Sequence, residues 1–314
     1  MKILVTGAAG FIGSHTAERL ADMGHQVIGL DNFSDYYEVA RKKMNAKALS
    51  EKGIELVQAD LRYDSLADKV GEEPDAIFHF AAHPGISATS SFDDYFSNNF
   101  IATQNLLDYA EALSTCPFVV NIATSSIYGL EATMTESEAP QPASWYGVTK
   151  LAAEQLVLAY SRRGILRSCS LRLYSVYGPR ERPDKLYTRL IDCALNGKPF
   201  PLYEGSLAHL RSFTYVQDIV DGIVSVLDKY ESCNGEIFNL GTEIENTTET
   251  GIQLVSEILG TEIQFQKLPP RPGDQSRTKA NIEKARKMLN YHPTTTLRDG
   301  LTAQVAWFKT NFAT

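Results

Sequence analysis

Cysteine is scarce in this chain, and long apolar runs are absent from it. The four cysteines among 314 residues form no Cys-x-x-Cys pair and are too few for a disulfide scaffold, so we expect reduced thiols. No apolar run approaches the ~20 residues that a membrane span needs. No apolar signal-peptide core follows the first residues either, so we expect a cytoplasmic protein with no membrane partner.

An excess of positive charge is also missing. Thirty basic side chains stand against 38 acidic ones, which gives a formal net charge of −8. Neutralising phosphates requires a basic face, so this balance argues against nucleic acid as a partner. The hydrophobic share of 43% and the charged share of 22% are typical of globular proteins and exclude a disordered chain.

The first half of the chain alternates short apolar runs with amphipathic stretches. Strands joined by helices require right-handed crossovers, which produce a parallel sheet covered on both faces. The sequence therefore predicts an α/β fold with a Rossmann-type doubly wound parallel sheet. The predicted strands cover 2–6, 25–30, 55–59, 76–82, 118–124 and 170–178, and a strand at 236–240 closes the sheet.

The character of the sequence changes after Gly178. A polar segment with prolines leads into a predicted helix at 186–197, and two more helices are predicted at 248–260 and 297–312. We expect these segments to form a smaller α/β substrate-binding lobe on the C-terminal side. The predicted sheet domain comprises 1–172 and 214–243, and the predicted lobe comprises 173–213 and 244–314.

Three glycines, Gly7, Gly10 and Gly13, follow the first predicted strand and open the first predicted helix. Their spacing is a variant of the dinucleotide fingerprint, in which glycines let the chain turn sharply and approach a pyrophosphate. Phe11 and Ile12 lie inside this turn, where the helix N-terminus offers N–H groups to phosphates. A plain strand–helix turn would also use glycine, so the motif alone leaves both interpretations open.

Asp31 ends the second predicted strand and favours the dinucleotide interpretation. A carboxylate at this point can accept both hydroxyls of the adenosine ribose, and it repels a 2′-phosphate. No arginine follows within the next few residues. The sequence therefore predicts a domain that binds NAD rather than NADP.

Tyr146 and Lys150 are four positions apart near the start of an amphipathic helix, so they share one helical face. A lysine ammonium beside a phenol favours the phenolate, and so does a positively charged nicotinamide ring. Lowering a tyrosine pKa from ~10 to near 7 requires about 4 kcal/mol of differential interaction. Thr124, which ends the strand 118–124, would hold the substrate oxygen. The same Tyr-x-x-x-Lys spacing is also common on helix surfaces.

Several motifs, in this order, resemble those of the extended short-chain dehydrogenase/reductase family. They are TGAAGFIG, the strand end at Asp31, FAA at 80–82, SNNFIATQNLL, the set Thr124–Tyr146–Lys150 and RSFTYVQD. More narrowly, the chain is similar to NAD-dependent nucleotide-sugar epimerases and dehydratases. The resemblance implies NAD as cofactor, Tyr146, Lys150 and Thr124 as the catalytic residues, and a homodimer formed through helices at 91–113 and 145–162. The cofactor contacts that it implies are Gly7, Gly10, Phe11, Ile12, Gly13, Asp31, Asn32, Asp60, Leu61, Phe80, Ala81, Ala82, Asn99, Tyr146, Lys150 and Tyr174.

The residues after Thr124 narrow the reaction that the resemblance implies. Dehydratases of this family carry Asp-Glu there, and related decarboxylases carry a glutamate at the position of Ser126. This chain has Ser125 and Ser126, so elimination lacks its proton carrier. The implied reaction is a 4-epimerisation: oxidation at the sugar C4, rotation of the 4-keto intermediate, and return of the hydride.

Two stretches, 29–37 and 175–185, are similar to UDP-glucuronate 4-epimerases. The resemblance implies conversion of UDP-glucuronate to UDP-galacturonate. The substrate contacts that it implies are Ser125, Ser126, Ser175, Arg182, Arg211, Arg271 and Asp274. Two positions depart from the pattern, because Ser87 stands where an arginine is usual and Ser175 replaces a threonine. A 4-epimerase of UDP-glucose or UDP-N-acetylglucosamine, or a non-catalytic NAD-binding regulator, therefore remains an alternative.

His79 and His83 invite a metal interpretation because they are four positions apart. They lie where a strand runs into a turn, so this spacing does not bring them onto one face, and no third ligand is evident. We expect no metal site.

Overall fold

The structure is a computed structural model that describes residues 1–87, 89–270 and 275–312. The strands in chain order are β1 (Lys2–Thr6), β2 (Gln26–Asp31), β3 (Glu55–Gln58), β4 (Ala76–His79), β5 (Phe118–Thr124), β6 (Glu131–Ala132), β7 (Ser168–Leu173), β8 (Val176–Tyr177), β9 (Phe200–Tyr203), β10 (Leu210–Arg211), β11 (Thr214–Tyr215), β12 (Ile237–Leu240), β13 (Asn246–Thr247), β14 (Phe265–Leu268) and β15 (Arg277–Thr278).

The α-helices in chain order are α1 (Phe11–Asp22), α2 (Val39–Glu51), α3 (Leu66–Lys69), α4 (Phe92–Tyr95), α5 (Ala102–Ala112), α6 (Trp145–Arg162), α7 (Leu186–Leu195), α8 (Val216–Val224), α9 (Tyr230–Cys233), α10 (Thr248–Leu259), α11 (Glu283–Leu289) and α12 (Leu297–Phe312). A π-helical segment, Phe96–Ile101, lies between α4 and α5, and a 3₁₀ turn, Ser125–Tyr128, follows β5.

Seven parallel strands form the main sheet, in the order β12-β7-β5-β4-β1-β2-β3. Strand β1 pairs with β2 on one side and with β4 on the other, so the strand order reverses at β1. Ligands of such sheets bind in the crevice at the carboxyl ends of the strands beside this reversal. The predicted Rossmann-type doubly wound sheet is confirmed.

Both faces of the sheet are buried, which explains why its strands are almost continuously apolar. Ile3 and Val5 point into one core, and Leu4, between them in β1, points into a second core on the other face. All seven residues of β5 are buried. Burial on both faces therefore fixes the positions of the strand ends that carry site residues.

A third core lies in the C-terminal part of the chain. Helices α7, α10 and α12 pack around Tyr187, Val255 and Phe308, and β9 pairs with β14 beside them. This arrangement agrees with a small second lobe. Helix α11 differs, because its buried Ala285 and Leu289 belong to the core of the main sheet. The segment 244–314 therefore contributes to two cores, and the exact domain boundaries remain a prediction.

The predicted strand 170–178 is wrong in one respect, because the structure divides it. Strand β7 ends at Leu173, and Val176–Tyr177 pairs with β11 in a separate two-stranded sheet. Ser175 lies at the break, and its carbonyl oxygen accepts a hydrogen bond from the Thr214 N–H at 3.1 Å. Apolar residues continue through the break, so periodicity gives no sign that the chain leaves the sheet for the lobe.

Candidate active site

The glycine turn after β1 is packed so closely that side chains would not fit. A Cβ at Gly7, where φ is +68°, would lie 2.8 Å from the backbone nitrogen of Ala81, and a Cβ at Gly13 would collide with the carbonyl oxygen of Gly7. The turn therefore lies directly against the segment after β4. This close approach of backbone to backbone is what a dinucleotide site at a strand reversal requires.

Helix α1 starts from this turn without a side-chain cap. Gly10 is the N-cap residue, and no described side chain accepts a hydrogen bond from the first turn of the helix. The N–H groups of Phe11, Ile12 and Gly13 belong to this first turn, where the helix has no internal acceptors for them. They form the kind of N-terminus that binds a phosphate, so the turn fits a pyrophosphate.

Asp31 lies at the carboxyl end of β2 and is buried. Its carboxylate accepts hydrogen bonds from the Ala9 N–H at 3.1 Å and from the Phe33 N–H at 2.8 Å. Lys42 Nζ donates to the same carboxylate at 3.3 Å. No sequence pattern predicts a role for Lys42, because this residue reaches Asp31 from α2. Asp31 thus lies at the strand end where the sequence predicts the adenosine ribose to bind. The buried Lys42 ammonium is paired with its carboxylate.

Asn32 and Asp60 meet at the neighbouring strand ends. Asn32 Nδ2 donates to Asp60 Oδ2 at 3.0 Å, and Arg62 donates to both oxygens of Asp60. Hydrogen bonds from Arg62, the largest cause, lower the pKa of Asp60 to about 2. Leu61, between Asp60 and Arg62 in the chain, is buried. The structure therefore brings these three predicted cofactor residues together at one edge of the crevice, although Arg62 was missed.

Three further predicted cofactor contacts, Phe80, Ala81 and Ala82, follow β4 beside the glycine turn, where the Ala81 N–H donates to Thr6 Oγ1 at 3.2 Å. The Tyr174 side chain is buried in the core of the sheet and packs near Tyr128, and its predicted cofactor contact stays a prediction.

Asn99 lies in the π-helical segment and is buried. Its Oδ1 accepts from the His83 N–H at 2.7 Å, and its Nδ2 donates to the His83 carbonyl and to Thr149 Oγ1. Both amide hydrogens are thus used inside the protein. Asn99 therefore ties the loop after β4 to α6, and its predicted cofactor contact stays a prediction.

The predicted catalytic residues converge at the carboxyl end of β5. Thr124 ends β5, and Tyr146 and Lys150 lie on the first two turns of α6. The Tyr146 phenol is hydrogen-bonded to the Thr124 side chain and to the Gly85 backbone. Lys150 is 3% exposed. The three residues therefore lie at the end of β5 and the start of α6, with Thr124 and Lys150 buried and Tyr146 partly exposed.

The charges around the Tyr146 phenol differ from the prediction. Burial raises the pKa of this phenol, while the Thr124 hydrogen bond, the Arg182 guanidinium and the Gly85 hydrogen bond oppose that rise. The cation with the largest effect is therefore Arg182 rather than Lys150. Burial also lowers the pKa of Lys150 to about 8, against the influence of Glu154. Among the protein groups alone, burial outweighs the nearby charges and raises the pKa of Tyr146. The predicted fall includes the charge of the nicotinamide ring and stays a prediction.

Arg182 joins the two stretches that narrowed the sugar class. Its guanidinium carbon lies 5.7 Å from the centre of the Tyr36 ring, and Nη2 lies 3.1 Å from the place a Cβ would take at Gly85. Arg182 also donates two hydrogen bonds to Asp184, at 3.0 and 2.8 Å. The stretches 29–37 and 175–185 thus meet next to Tyr146, which no sequence pattern could have shown.

Threonine and serine side chains lie at the end of β5 and at the break after β7. Thr124 Oγ1 donates to Ser126 Oγ at 3.3 Å and accepts from the Ser126 N–H at 3.2 Å. Ser125 is buried beside them in the 3₁₀ turn. Ser175 lies at the break after β7. The predicted roles of Ser125, Ser126 and Ser175 in binding the sugar stay predictions.

Basic side chains next to Arg182 form a cation cluster that extends into the lobe. Lys185 precedes α7, and its pKa is lowered by burial and by the charges of Arg182 and Arg211. Lys185 was not predicted from the sequence. Arg211 lies in β10, as part of the same cluster. Arg271 and Asp274 lie outside the described residues, so their predicted roles stay predictions.

The two histidines near the site are engaged by neighbouring side chains. His79 lies between Thr6 Oγ1 and Thr103 Oγ1, at 2.8 and 2.9 Å, and burial lowers its pKa to about 3. His83 contacts Ser90 Oγ at 2.8 Å and packs edge-on against Tyr36. Within the described residues, no group of three His, Cys, Asp or Glu side chains could hold a metal ion.

The reversed sheet, the glycine turn, Asp31 and the Thr–Tyr–Lys cluster define an NAD-dependent enzyme of the short-chain dehydrogenase/reductase type. A family model described as "NAD dependent epimerase/dehydratase family" matches residues 3–241, so the chain belongs to that family. Among the described residues, no helix has both the length and the apolar character needed to cross a membrane.

Three similar proteins place the chain more narrowly. A Bacillus subtilis (strain 168) protein named as an uncharacterized UDP-glucose epimerase, YtcB, is 39% identical over 312 residues, covering 98% of both chains. UDP-glucuronate 4-epimerase 1 of Arabidopsis thaliana is 35% identical over 98% of this chain and 76% of its own length. The crystal structure of the Bacillus cereus UDP-glucuronic acid 4-epimerase with UDP-glucuronic acid and NAD has a TM-score of 0.93, 33% identity, and coverage of 99% and 100%.

Proposed function

We propose that this chain is a UDP-glucuronate 4-epimerase that converts UDP-glucuronate to UDP-galacturonate. It is an NAD-dependent isomerase of its family. The observation that carries the choice of sugar is Arg182, whose guanidinium lies close to the Tyr146 phenol and next to Gly85. We assign the hydroxyls of Ser125, Ser126 and Ser175 to the same sugar on the resemblance. A guanidinium with nearby hydroxyl donors suits a sugar carboxylate, because directed donors bind carboxylate oxygens strongly.

The chain's own residues account for the proton transfer. When bound, NAD accepts a hydride from the sugar C4 and later returns it. Tyr146 takes the proton of the C4 hydroxyl as general base and gives it back, which is a role for a phenol held by Thr124. Thr124 holds the substrate oxygen, and Lys150 supplies positive charge on the same helical face.

An acidic sugar imposes a second task on the site. The C4 ketone of the intermediate is β to the carboxylate carbon, so the intermediate is prone to lose carbon dioxide. Decarboxylation is fastest when the breaking bond is perpendicular to the carbonyl plane. We infer that Ser125, Ser126 and Ser175, with Arg182, hold the carboxylate so that its bond to C5 lies close to the plane of the C4 carbonyl, and thereby suppress this loss.

The diphosphate of the substrate is assigned to the cation cluster in the lobe. Arg211 lies close enough to Lys185 for its charge to lower the pKa of that lysine. The forked donors of an arginine suit phosphate oxygens. Arg271 and Asp274 belong to the same proposed set on the resemblance alone.

A neutral sugar is the second candidate, and a specific position favours it. Ser87 stands where an arginine is usual in acid-specific relatives, and its hydroxyl is hydrogen-bonded to Thr89 Oγ1 at 3.1 Å. Its N–H donates to the Tyr95 hydroxyl at 2.9 Å. No cation is supplied there, and the name of the Bacillus subtilis relative includes UDP-glucose.

The test is a panel of UDP-sugars with products resolved by NMR. We expect UDP-glucuronate to be converted to UDP-galacturonate faster than UDP-glucose or UDP-N-acetylglucosamine is converted, without release of a UDP-pentose. Preference for UDP-glucose would favour the second candidate. Absence of turnover with every sugar, in protein that binds NAD, would favour a non-catalytic regulator.

We also propose a homodimer formed through α4, α5, the π-helical segment and α6. An apolar patch is exposed there: the Phe96 ring stacks on Phe100 at 5.3 Å, and Phe92 packs edge-on against Trp145, which is 56% exposed. Exposed aromatic clusters of this kind are typical of protein interfaces. A molar mass near twice 34.8 kDa in solution, reduced by Trp145→Lys, would support the dimer.

The cytoplasmic location stays a prediction.

A further inference from the structure

Glu154 and Arg172 form an ion pair that is closed off from solvent behind the active site. Glu154 lies on α6 and Arg172 on β7, and both are fully buried. Arg172 Nη2 donates to Glu154 Oε1 at 2.7 Å, and Arg172 Nε donates to Glu154 Oε2 at 3.0 Å. Ser170 Oγ donates to Oε2 as well, at 3.1 Å. The carboxylate is therefore fixed in one orientation.

The pair connects several elements that carry site residues. Arg172 Nη1 donates to the Tyr128 hydroxyl at 2.6 Å, and this hydroxyl donates to Asn239 Oδ1 at 2.9 Å on β12. Tyr128 closes the 3₁₀ turn that contains Ser125 and Ser126. The guanidinium thus links α6, which carries the catalytic phenol, to the turn that carries the substrate hydroxyls.

The Glu154 carboxylate also lies one helical turn behind Lys150. Tyr146, Lys150 and Glu154 recur at intervals of four along α6, so they share one face of the helix. From β4, His79 faces Lys150, and its buried ring is neutral near pH 7. Glu154 raises the pKa of Lys150 against the effect of burial, whereas Arg172 contacts Glu154 from β7. Glu154 is therefore the acidic group that acts on Lys150.

Stability alone is a weak reason for such a pair. Replacing a buried ion pair by apolar residues of similar volume is often neutral or stabilising, because desolvation of two charges offsets their attraction. We propose that Glu154 and Arg172 are positioning residues for the epimerisation. Glu154 supplies the negative charge that faces Lys150, and Arg172 holds this carboxylate and ties α6 to the serine turn. This inference rests on the proposed function.

The test compares Glu154→Gln with the double variant Glu154→Leu/Arg172→Met. Glu154→Gln removes the carboxylate and leaves Arg172 charged, whereas the double variant replaces the pair by apolar side chains. We expect the pKa of Lys150 to fall by roughly one pH unit in the double variant, and further in Glu154→Gln, where a like charge remains nearby. NMR titration of ¹³C-labelled lysine measures this value, and Lys150→Met identifies the signal.

Turnover provides the second readout. In each variant the basic limb of the kcat profile should move to lower pH by as much as the pKa of Lys150 falls in that variant, because Lys150 loses its proton earlier. A Lys150 pKa equal to that of the wild type, or a double variant with the wild-type pH profile, would overturn the inference. If instead the wild type converts no UDP-sugar, the proposed function fails, while the NMR titration still decides the charge effect of Glu154.

Tyr128→Phe is the matched control. This change removes the hydroxyl between Arg172 and Asn239 but leaves the charges of the pair in place. We expect the pKa of Lys150 and the basic limb to stay at their wild-type positions. A shift as large as that of Glu154→Gln would show that the hydrogen-bond network, and not the carboxylate charge, controls Lys150, and the inference would be withdrawn.

Discussion

The proposed cofactor side and the proposed sugar side of the site are built in different ways. The cofactor side consists of short contiguous stretches, the glycine turn after β1, Asp31 at the end of β2 and the 80–82 segment after β4, all on adjacent strands of one sheet. The sugar side is assembled from distant pieces, since Arg182 lies in a loop, Arg211 in a two-residue strand and Tyr36 in the segment after β2.

The difference lies in what fixes each side. Backbone packing fixes the cofactor side, as the contact between Gly7 and Ala81 shows. Charged side chains define the sugar side, and their positions depend on ion pairs such as Arg182 with Asp184. We therefore expect the cofactor side to fail when a backbone contact is disturbed, and the sugar side to change its selectivity when a charge is removed.

Tyr146→Phe should have the largest effect, because this phenol serves both sides. Removal of the hydroxyl abolishes general base catalysis, which contributes roughly 100- to 10,000-fold to a rate. We expect kcat to fall by about that factor while NAD and UDP binding stay within a few fold. Steady-state kinetics and titration calorimetry would measure both. A variant that keeps most of its activity would contradict the Thr124–Tyr146–Lys150 assignment.

Gly13→Ala should break the cofactor side alone. The added Cβ would collide with the Gly7 carbonyl, so the turn must open and the N–H groups of α1 must move. We expect loss of bound NAD and a decrease of about 1–3 kcal/mol in the free energy of unfolding. Gly71→Ala is the control, because nothing lies within 4 Å of its Cβ position. Equal NAD content in both variants would argue against a dinucleotide turn.

The same contrast explains how far the sequence could lead. The parallel sheet, the glycine turn, Asp31 and the pair Tyr146–Lys150 follow from local patterns, because burial on both faces and helical periodicity leave a direct trace in the chain. Lys42 and Lys185 leave no such trace, since each reaches the site from an element whose place is set by tertiary packing. The break at Ser175 was missed for a similar reason: the pattern of apolar residues is unchanged where the chain leaves the sheet.

Arg182→Ala should change the sugar side selectively. Losing a hydrogen bond to a charged group costs roughly 1.5–3 kcal/mol, which corresponds to about a 10- to 150-fold loss. We expect this loss in kcat/KM with UDP-glucuronate and a much smaller one with UDP-glucose, together with more release of pentose product. Ser175→Ala should act in the same direction but less strongly. Arg189→Ala, at an exposed position on α7, is the control. Equal losses with both sugars would remove the main support for an acidic substrate.

The smallest predicted effect is a loss of unfolding free energy at acidic pH, and it arises from His79 on the proposed cofactor side. Burial lowers the pKa of His79 to about 3 in the folded chain, against an ordinary value of 6.5. Between these values the unfolded chain binds a proton that the folded chain does not, so the free energy of unfolding falls as the pH falls below about 6.5. From about pH 7.5 to about pH 5.5 this group should remove roughly 1 kcal/mol. His15, whose pKa burial lowers to about 4, acts in the same direction.

Urea unfolding at the two pH values would measure this loss, and His79→Gln should make it smaller because a glutamine binds no proton. His292→Gln, at an exposed position, serves as the matched control for the loss of an imidazole. The ring of His79 contacts Thr6 of β1 and Thr103 of α5. His79 directly precedes the 80–82 segment, which lies against the glycine turn. If His79→Gln leaves the pH dependence as it was, then this bridge is open to solvent and the cofactor side is less rigid than the sheet contacts imply.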